Sequence, residues 1–105
     1  MTAGRRVHER YALELPVTLV HAAGETAGSS QNWSLGGTLL TMSDPRIVFG
    51  SEVRLRVTLP PLKEQAEIKA TVRWIKDGAV GIQFGSLRAK EVWALNQMFK
   101  DAPVV

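Results

Sequence analysis

The strictest pattern in the chain is the alternation across residues 53–59. Val53, Leu55, Val57 and Leu59 are apolar, and Arg54, Arg56 and Thr58 between them are polar or charged. Successive side chains of a strand point to opposite faces, so period two means a strand with one wet face and one buried face. The same period recurs at Ile68, Ala70, Val72 and Trp74, and again at Val80, Ile82 and Phe84. It also runs through Leu13, Leu15, Val17 and Leu19, where Pro16 argues for an edge strand or a bulge. Turn residues separate these runs. Pro60-Pro61 ends one strand, and Asp77-Gly78 is a two-residue hairpin signal. Residues 22–30 are small and polar and read as a turn leading into a weak strand. Gly36-Gly37 is a break before a strand at residues 38–42, and Asp44-Pro45 is a turn.

After Gly85 the period changes. Leu87, Val92, Leu95 and Phe99 fall on one helical face, with Lys90, Glu91, Asn96 and Lys100 on the other. This predicts one C-terminal helix over residues 86–100, capped by Ser86. Trp93 sits one position off the apolar stripe. It widens the buried face or offers a surface to a partner. The fold class is therefore all-β with one C-terminal helix. An open sheet of so many short strands would expose two edges, and closure into a barrel removes them. Residues 1–10 read as a flexible basic arm, 11–100 as the barrel with its helix, and 101–105 as a tail.

Composition narrows the chemistry. With 105 residues the chain is long enough for one core. The absence of cysteine excludes disulfides, thiol catalysis and thiolate metal sites. Only His8 and His21 offer imidazole, in no metal-ligand spacing, so no metal site is expected. Acidic residues are scattered, and Ser34 lacks a nucleophile-elbow setting, so no catalytic residue is expected. No run approaches the ~18 apolar residues of a membrane span, and no apolar signal core follows the start. A soluble cytoplasmic protein without membrane insertion is the expectation. The charge balance is 13 basic against 10 acidic residues. That mild excess suits a small anionic partner better than DNA or RNA, which calls for a denser basic stripe and exposed aromatics.

Two constellations carry chemistry. Arg6 and Arg10 are spaced Arg-x-x-x-Arg and preceded by Arg5. Guanidinium groups bind phosphate oxygens and the N7/O6 edge of guanine, and they stack on base rings. A solvated basic tail has the same composition. The second constellation is Asn32-Trp33-Ser34-Leu35-Gly36-Gly37. Asn32 and Ser34 share a face of an extended segment, and Trp33 and Leu35 point to the core. Asn32 offers a donor and an acceptor, Ser34 a hydroxyl, and the glycines a flexible, close-approaching backbone. An Asx-type turn between two strands would also account for it.

The two motifs in this order resemble the PilZ domain family, whose pattern is Arg-x-x-x-Arg followed by Asp/Asn-x-Ser-x-x-Gly. Here those positions are Arg6 and Arg10, then Asn32, Ser34 and Gly37. The likeness extends from about Arg5 to Phe99. It implies a six-stranded antiparallel barrel with a C-terminal helix, and a receptor for cyclic di-GMP. That messenger carries two guanines on a two-phosphate ring. By resemblance Arg6 and Arg10 contact guanine and phosphate, and Asn32, Ser34 and Gly37 hold the other guanine and its ribose phosphate. Arg5, being basic, implies an intercalated dimer of the ligand. Gly36, Arg73 and Trp74 are further candidate contacts, although its inward phase reads Trp74 first as core. The implied mechanism is a single-domain adaptor needing no cofactor. Its arginine arm closes over the ligand and changes the surface offered to a downstream protein. The alternative is an adaptor of the same fold that does not bind the nucleotide.

Overall fold

The computed structural model describes residues 9–105. Its strands are β1 (Tyr11–Ala12), β2 (Pro16–His21), β3 (Gly24–Trp33), β4 (Gly37–Thr41), β5 (Glu52–Leu59), β6 (Glu64–Lys76) and β7 (Ala79–Phe84), and they are followed by helix α1 (Ala89–Phe99). The sheet runs β3-β2-β5-β6-β7-β4, and β4 returns to pair with β3. All these pairings are antiparallel, so six strands close into a barrel. The two-residue β1 is an addition outside the ring, paired with the end of β3.

The period-two runs fill the interior. Leu19, Leu55, Leu59, Ile68, Val72 and Val80 are buried, together with Leu40 and Trp33. The polar phase of β5 lies on the outer wall. There Arg54 and Arg56 meet Glu67 at 3.5 and 3.6 Å, and Arg56 also meets Glu25 at 3.2 Å. This basic face is therefore neutralised by its neighbours. Asp77 (φ 50°) and Gly78 (φ 78°) make the tight β6–β7 turn in the left-handed region that an Asp-Gly pair favours.

Three expectations are corrected. The first apolar alternation is not one strand. The Ser30 hydroxyl donates to the Leu13 carbonyl at 2.7 Å and accepts from the Leu15 N–H at 2.9 Å, which draws the chain out of the ladder between β1 and β2. Pro16 then opens β2, and β5 pairs only from Val17 onward, so its missing N–H breaks no bond with β5. Second, Ser86 does not cap α1. Arg88 holds the N-cap position without an acceptor of its own, and the Glu91 carboxylate closes the turn by accepting from its backbone N–H at 2.9 Å and from its guanidinium at 2.9 Å. Third, that use of Glu91 buries a residue expected on the wet face of the helix. The apolar face of α1 packs on the barrel through Ala94, Leu95 and Phe99, while Trp93 stays half exposed. Among the described residues no helix is long and apolar enough to cross a membrane.

The long β4–β5 connection is braced at Asp44. Its carboxylate accepts from the Arg46 guanidinium at 2.8 Å and from the Thr26 hydroxyl on β3. Arg46 in turn reaches the Ala23 carbonyl at 3.1 Å, so the connection is tied to the β2–β3 hairpin. The Arg46 guanidinium and the Thr26 hydroxyl hold the Asp44 carboxyl well below the usual carboxylate range. Its stabilising contribution is therefore full above the ordinary aspartate value of about 3.9 and is lost as pH falls through the lowered folded value. Asp44→Asn is expected to be less stable than wild type near neutrality and to lose less further stability on acidification. Denaturant melts at a series of acid pH values check this, and parallel pH profiles for the two proteins would exclude it.

Candidate functional site

One outer face of the barrel carries a cleft of about 590 Å³ over β4 and its neighbours. A cleft of this size suits a small organic ligand. Its rim and floor include Arg10, Asn32, Ser34, Gly36, Gly37 and Leu39 on one side, and Arg73, Trp74, Gly81 and Gln83 on the other. Two β-bulges aim the polar groups into it. On β3, Ser30 opposes Leu40 and Asn32 opposes Leu39, so Gln31 is the extra residue. That extra residue reverses the phase. Ser30 before it is buried, whereas after it Trp33 points inward and Asn32 outward. On β6, Val72 opposes Ile82 and Trp74 opposes Gly81, so Arg73 is the extra residue.

The second bulge overturns the core reading of Trp74. Strict alternation would bury it after Ile68, Ala70 and Val72. With Arg73 inserted, Trp74 swings to the cleft rim and is 45% exposed, beside Arg73. Opposite it stands Gly81, where a Cβ would lie 3.2 Å from the Trp74 Cβ, so the glycine leaves room for the indole. Arg73 is held by its Nε–H, which donates to the Gln83 side-chain oxygen at 2.9 Å.

Across the cleft, Arg10 donates from Nη1 to the Asn32 Oδ1 at 3.1 Å. Residues from two motifs 22 positions apart are thereby joined at one site. The Thr38 hydroxyl donates to the Asn32 carbonyl at 2.7 Å and fixes the backbone on which that amide stands. Neither Arg10 nor Arg73 forms an ion pair with another described residue. Two unneutralised guanidinium groups over an apolar floor favour an anionic, flat-faced ligand.

Ser34 and the glycines shape the turn. Ser34 is buried, and its oxygen accepts from the N–H groups of Gly36 at 3.0 Å and Gly37 at 3.2 Å. The turn thus centres on Ser34 and not on Asn32. Gly37 does not take the left-handed backbone. It is needed for close approach, because a Cβ there would fall 2.1 Å from the Ile82 carbonyl oxygen of β7. Arg5 and Arg6 lie outside the described residues.

The PilZ domain family model matches residues 4–100. Among solved structures, the chain is similar to the PilZ domain of CeSA from a cellulose-synthesizing bacterium. The TM-score is 0.70 at 19% identity, covering 87% of this chain and 94% of that one. It is also similar to the Bacillus subtilis inhibitor of motility MotI/DgrA, with TM-score 0.75 and 26% identity over 91% of this chain. A third similar structure is the Borreliella burgdorferi PlzA protein in complex with cyclic di-GMP, with TM-score 0.70 and 15% identity over 92% of this chain. The chain spans 49% of the MotI/DgrA chain and 42% of the PlzA chain. No curated protein matches the sequence.

Proposed function

The chain belongs to the PilZ domain family, and on that footing we propose that it is a cytoplasmic receptor for cyclic di-GMP. The observation that carries this reading is the Arg10–Asn32 hydrogen bond, which joins the arginine motif to the Asn-x-Ser-x-x-Gly motif at the rim of one cleft. A similar fold has been solved with the same ligand in PlzA. PilZ domains act as binding and regulatory modules, and the chain works as one, without a cofactor.

In this mechanism Arg10 meets a guanine edge or a phosphate through its planar fork of donors. Asn32 offers its amide to a second guanine edge. Ser34 acts by holding the turn, which presents Gly36 and Gly37 close to the ligand. Arg73 approaches a phosphate from the opposite rim. Arg5 and Arg6, assigned on the motif alone, come from the arm at residues 1–10 and close over the ligand. The barrel with its helix spans residues 11–100, with 101–105 beyond it. Arm closure changes the surface presented to a downstream protein.

Trp74 supplies a ring face on which a guanine stacks. Such base–aromatic stacking contributes about 1–3 kcal/mol. Because the indole is half exposed, Trp74→Ala is expected to lower affinity about tenfold while leaving the melting temperature nearly unchanged. Titration and melting on the same sample check both halves, and a large loss of stability would return Trp74 to the core.

Calorimetric titration with cyclic di-GMP tests the reading as a whole. Micromolar or tighter binding is expected, with two ligands per chain as the intercalated dimer requires; a ratio of one rejects that stoichiometry. Single-stranded nucleic acid should give no comparable heat. Absence of both heat and thermal stabilisation with cyclic di-GMP would leave the adaptor that does not bind it.

A further inference from the structure

Beyond the barrel, residues 103–105 pair with the segment that bears Arg10. The Ala12 N–H donates to the Pro103 carbonyl at 2.8 Å, and the Val105 N–H donates to the Arg10 carbonyl at 3.0 Å. Tyr11 and Val104 face each other between these bonds as an antiparallel bridge. The Tyr11 ring stacks on Phe99 of α1, with centroids 4.3 Å apart and planes 11° from parallel. On its other side the same segment is paired to β3, Tyr11 opposite Trp33 and Ala12 opposite Asn32. Residues 10–12 are thus the middle member of a short three-stranded patch.

We infer that residues 103–105 form a backbone clasp that positions Arg10 for the ligand, so that these last residues regulate the affinity of the cleft. The inference rests on the receptor reading above. A ladder of two residues is too short to hold itself in water. Without the clasp, β3 and the Tyr11–Phe99 stack still hold residues 11 and 12, but Arg10, the outermost residue of the segment, loses the bond at its carbonyl and frays. The clasp removes that freedom before ligand arrives, and a group ordered in advance is not ordered at the expense of binding. The geometry agrees, since the Arg10 carbonyl is held by Val105 while its guanidinium reaches Asn32. Neither bond requires the other chemically, yet both fix the same residue.

The test is titration of cyclic di-GMP into the full chain, into a chain lacking residues 103–105, and into Val105→Pro. The last removes the donor to Arg10 and keeps the chain length. Each change is also placed in an Arg10→Ala background. Loss of the clasp is expected to weaken binding roughly five- to tenfold in the wild-type background and to have little effect once Arg10 is gone. Melting curves on each sample establish that the barrel is intact, and Val105→Pro serves if the truncated chain does not fold. Hydrogen exchange at the Ala12 amide is expected to quicken when the clasp is removed. Equal affinity with and without the clasp overturns the inference, as does an equal loss in both backgrounds, which would mark a general structural role. If the full chain itself binds no cyclic di-GMP, the receptor reading falls and takes the regulatory role with it.

Discussion

Arg10→Ala is expected to weaken cyclic di-GMP binding by about 1.5–3 kcal/mol, or roughly ten- to hundredfold. The figure follows from losing charge-assisted hydrogen bonds to a ligand that carries two phosphates and two guanine edges. Arg10 is the described arginine at which both motifs meet, and no carboxylate among the described residues neutralises it. Arg10→Lys is expected to fall between, because an ammonium keeps the charge and loses the fork. The domain should remain folded in both variants. Apart from the side-chain bond to Asn32 at the cleft rim, Arg10 holds the chain through its backbone carbonyl, which the substitutions keep. Calorimetry gives the affinities and a melting curve gives the control. An Arg10→Ala protein that binds as tightly as wild type would remove this residue from the site.

Gly37→Ala is expected to have the largest effect on stability. A methyl group there would lie 2.1 Å from the Ile82 carbonyl oxygen, and that neighbour is backbone, with no side chain to swing away. Relief requires β4 to move away from β7 where Gly37 pairs with Gln83 and the Phe84 N–H reaches the Gly36 carbonyl at 2.8 Å. Overpacking of this kind costs about 3 kcal/mol or more, and for a domain of this size each 1 kcal/mol lowers the midpoint by about 4–8 °C. A fall on the order of 10–20 °C is the expected reading. Gly81→Ala, with 3.2 Å to a side-chain carbon of Trp74, should be milder in stability and should disturb the cleft. A Gly37→Ala protein that melts like wild type would show that the two strands can part at little cost.

Most of the barrel was legible because its strands obey one rule. Val53 to Leu59 alternate without exception, and Asp77-Gly78 announces its turn. The turn motif was legible because Asn, Ser and Gly carry it at fixed offsets. The departures share a physical cause: period two holds only where one residue opposes one residue. The extra residues Gln31 and Arg73 shift the phase by one, and nothing in the local sequence marks either as a bulge. The inward placement of Trp74 failed for that reason alone. The break at Leu13–Leu15 depends on Ser30, which lies far along the chain, so local patterning could not register it. The start of α1 depends on Glu91, whose carboxylate reaches back from the first turn to accept from the Arg88 N–H, so no hydroxyl at Ser86 marks the boundary. The pairing of residues 103–105 with residues 10–12 joins opposite ends of the sequence, beyond the reach of any periodicity.

The pairing of residues 10–12 with residues 103–105 makes the described part of the chain a nearly closed loop. Such a domain is geometrically suited to circular permutation, with the neighbouring residues 10 and 105 joined by a short linker and new termini opened in the turn between β5 and β6. It is equally suited to being spliced into a loop of a host protein, because its points of attachment are already neighbours and the host need not be spread to receive it. In either setting the connection would arrive beside Arg10, so a pull on the linker would reach the cleft directly.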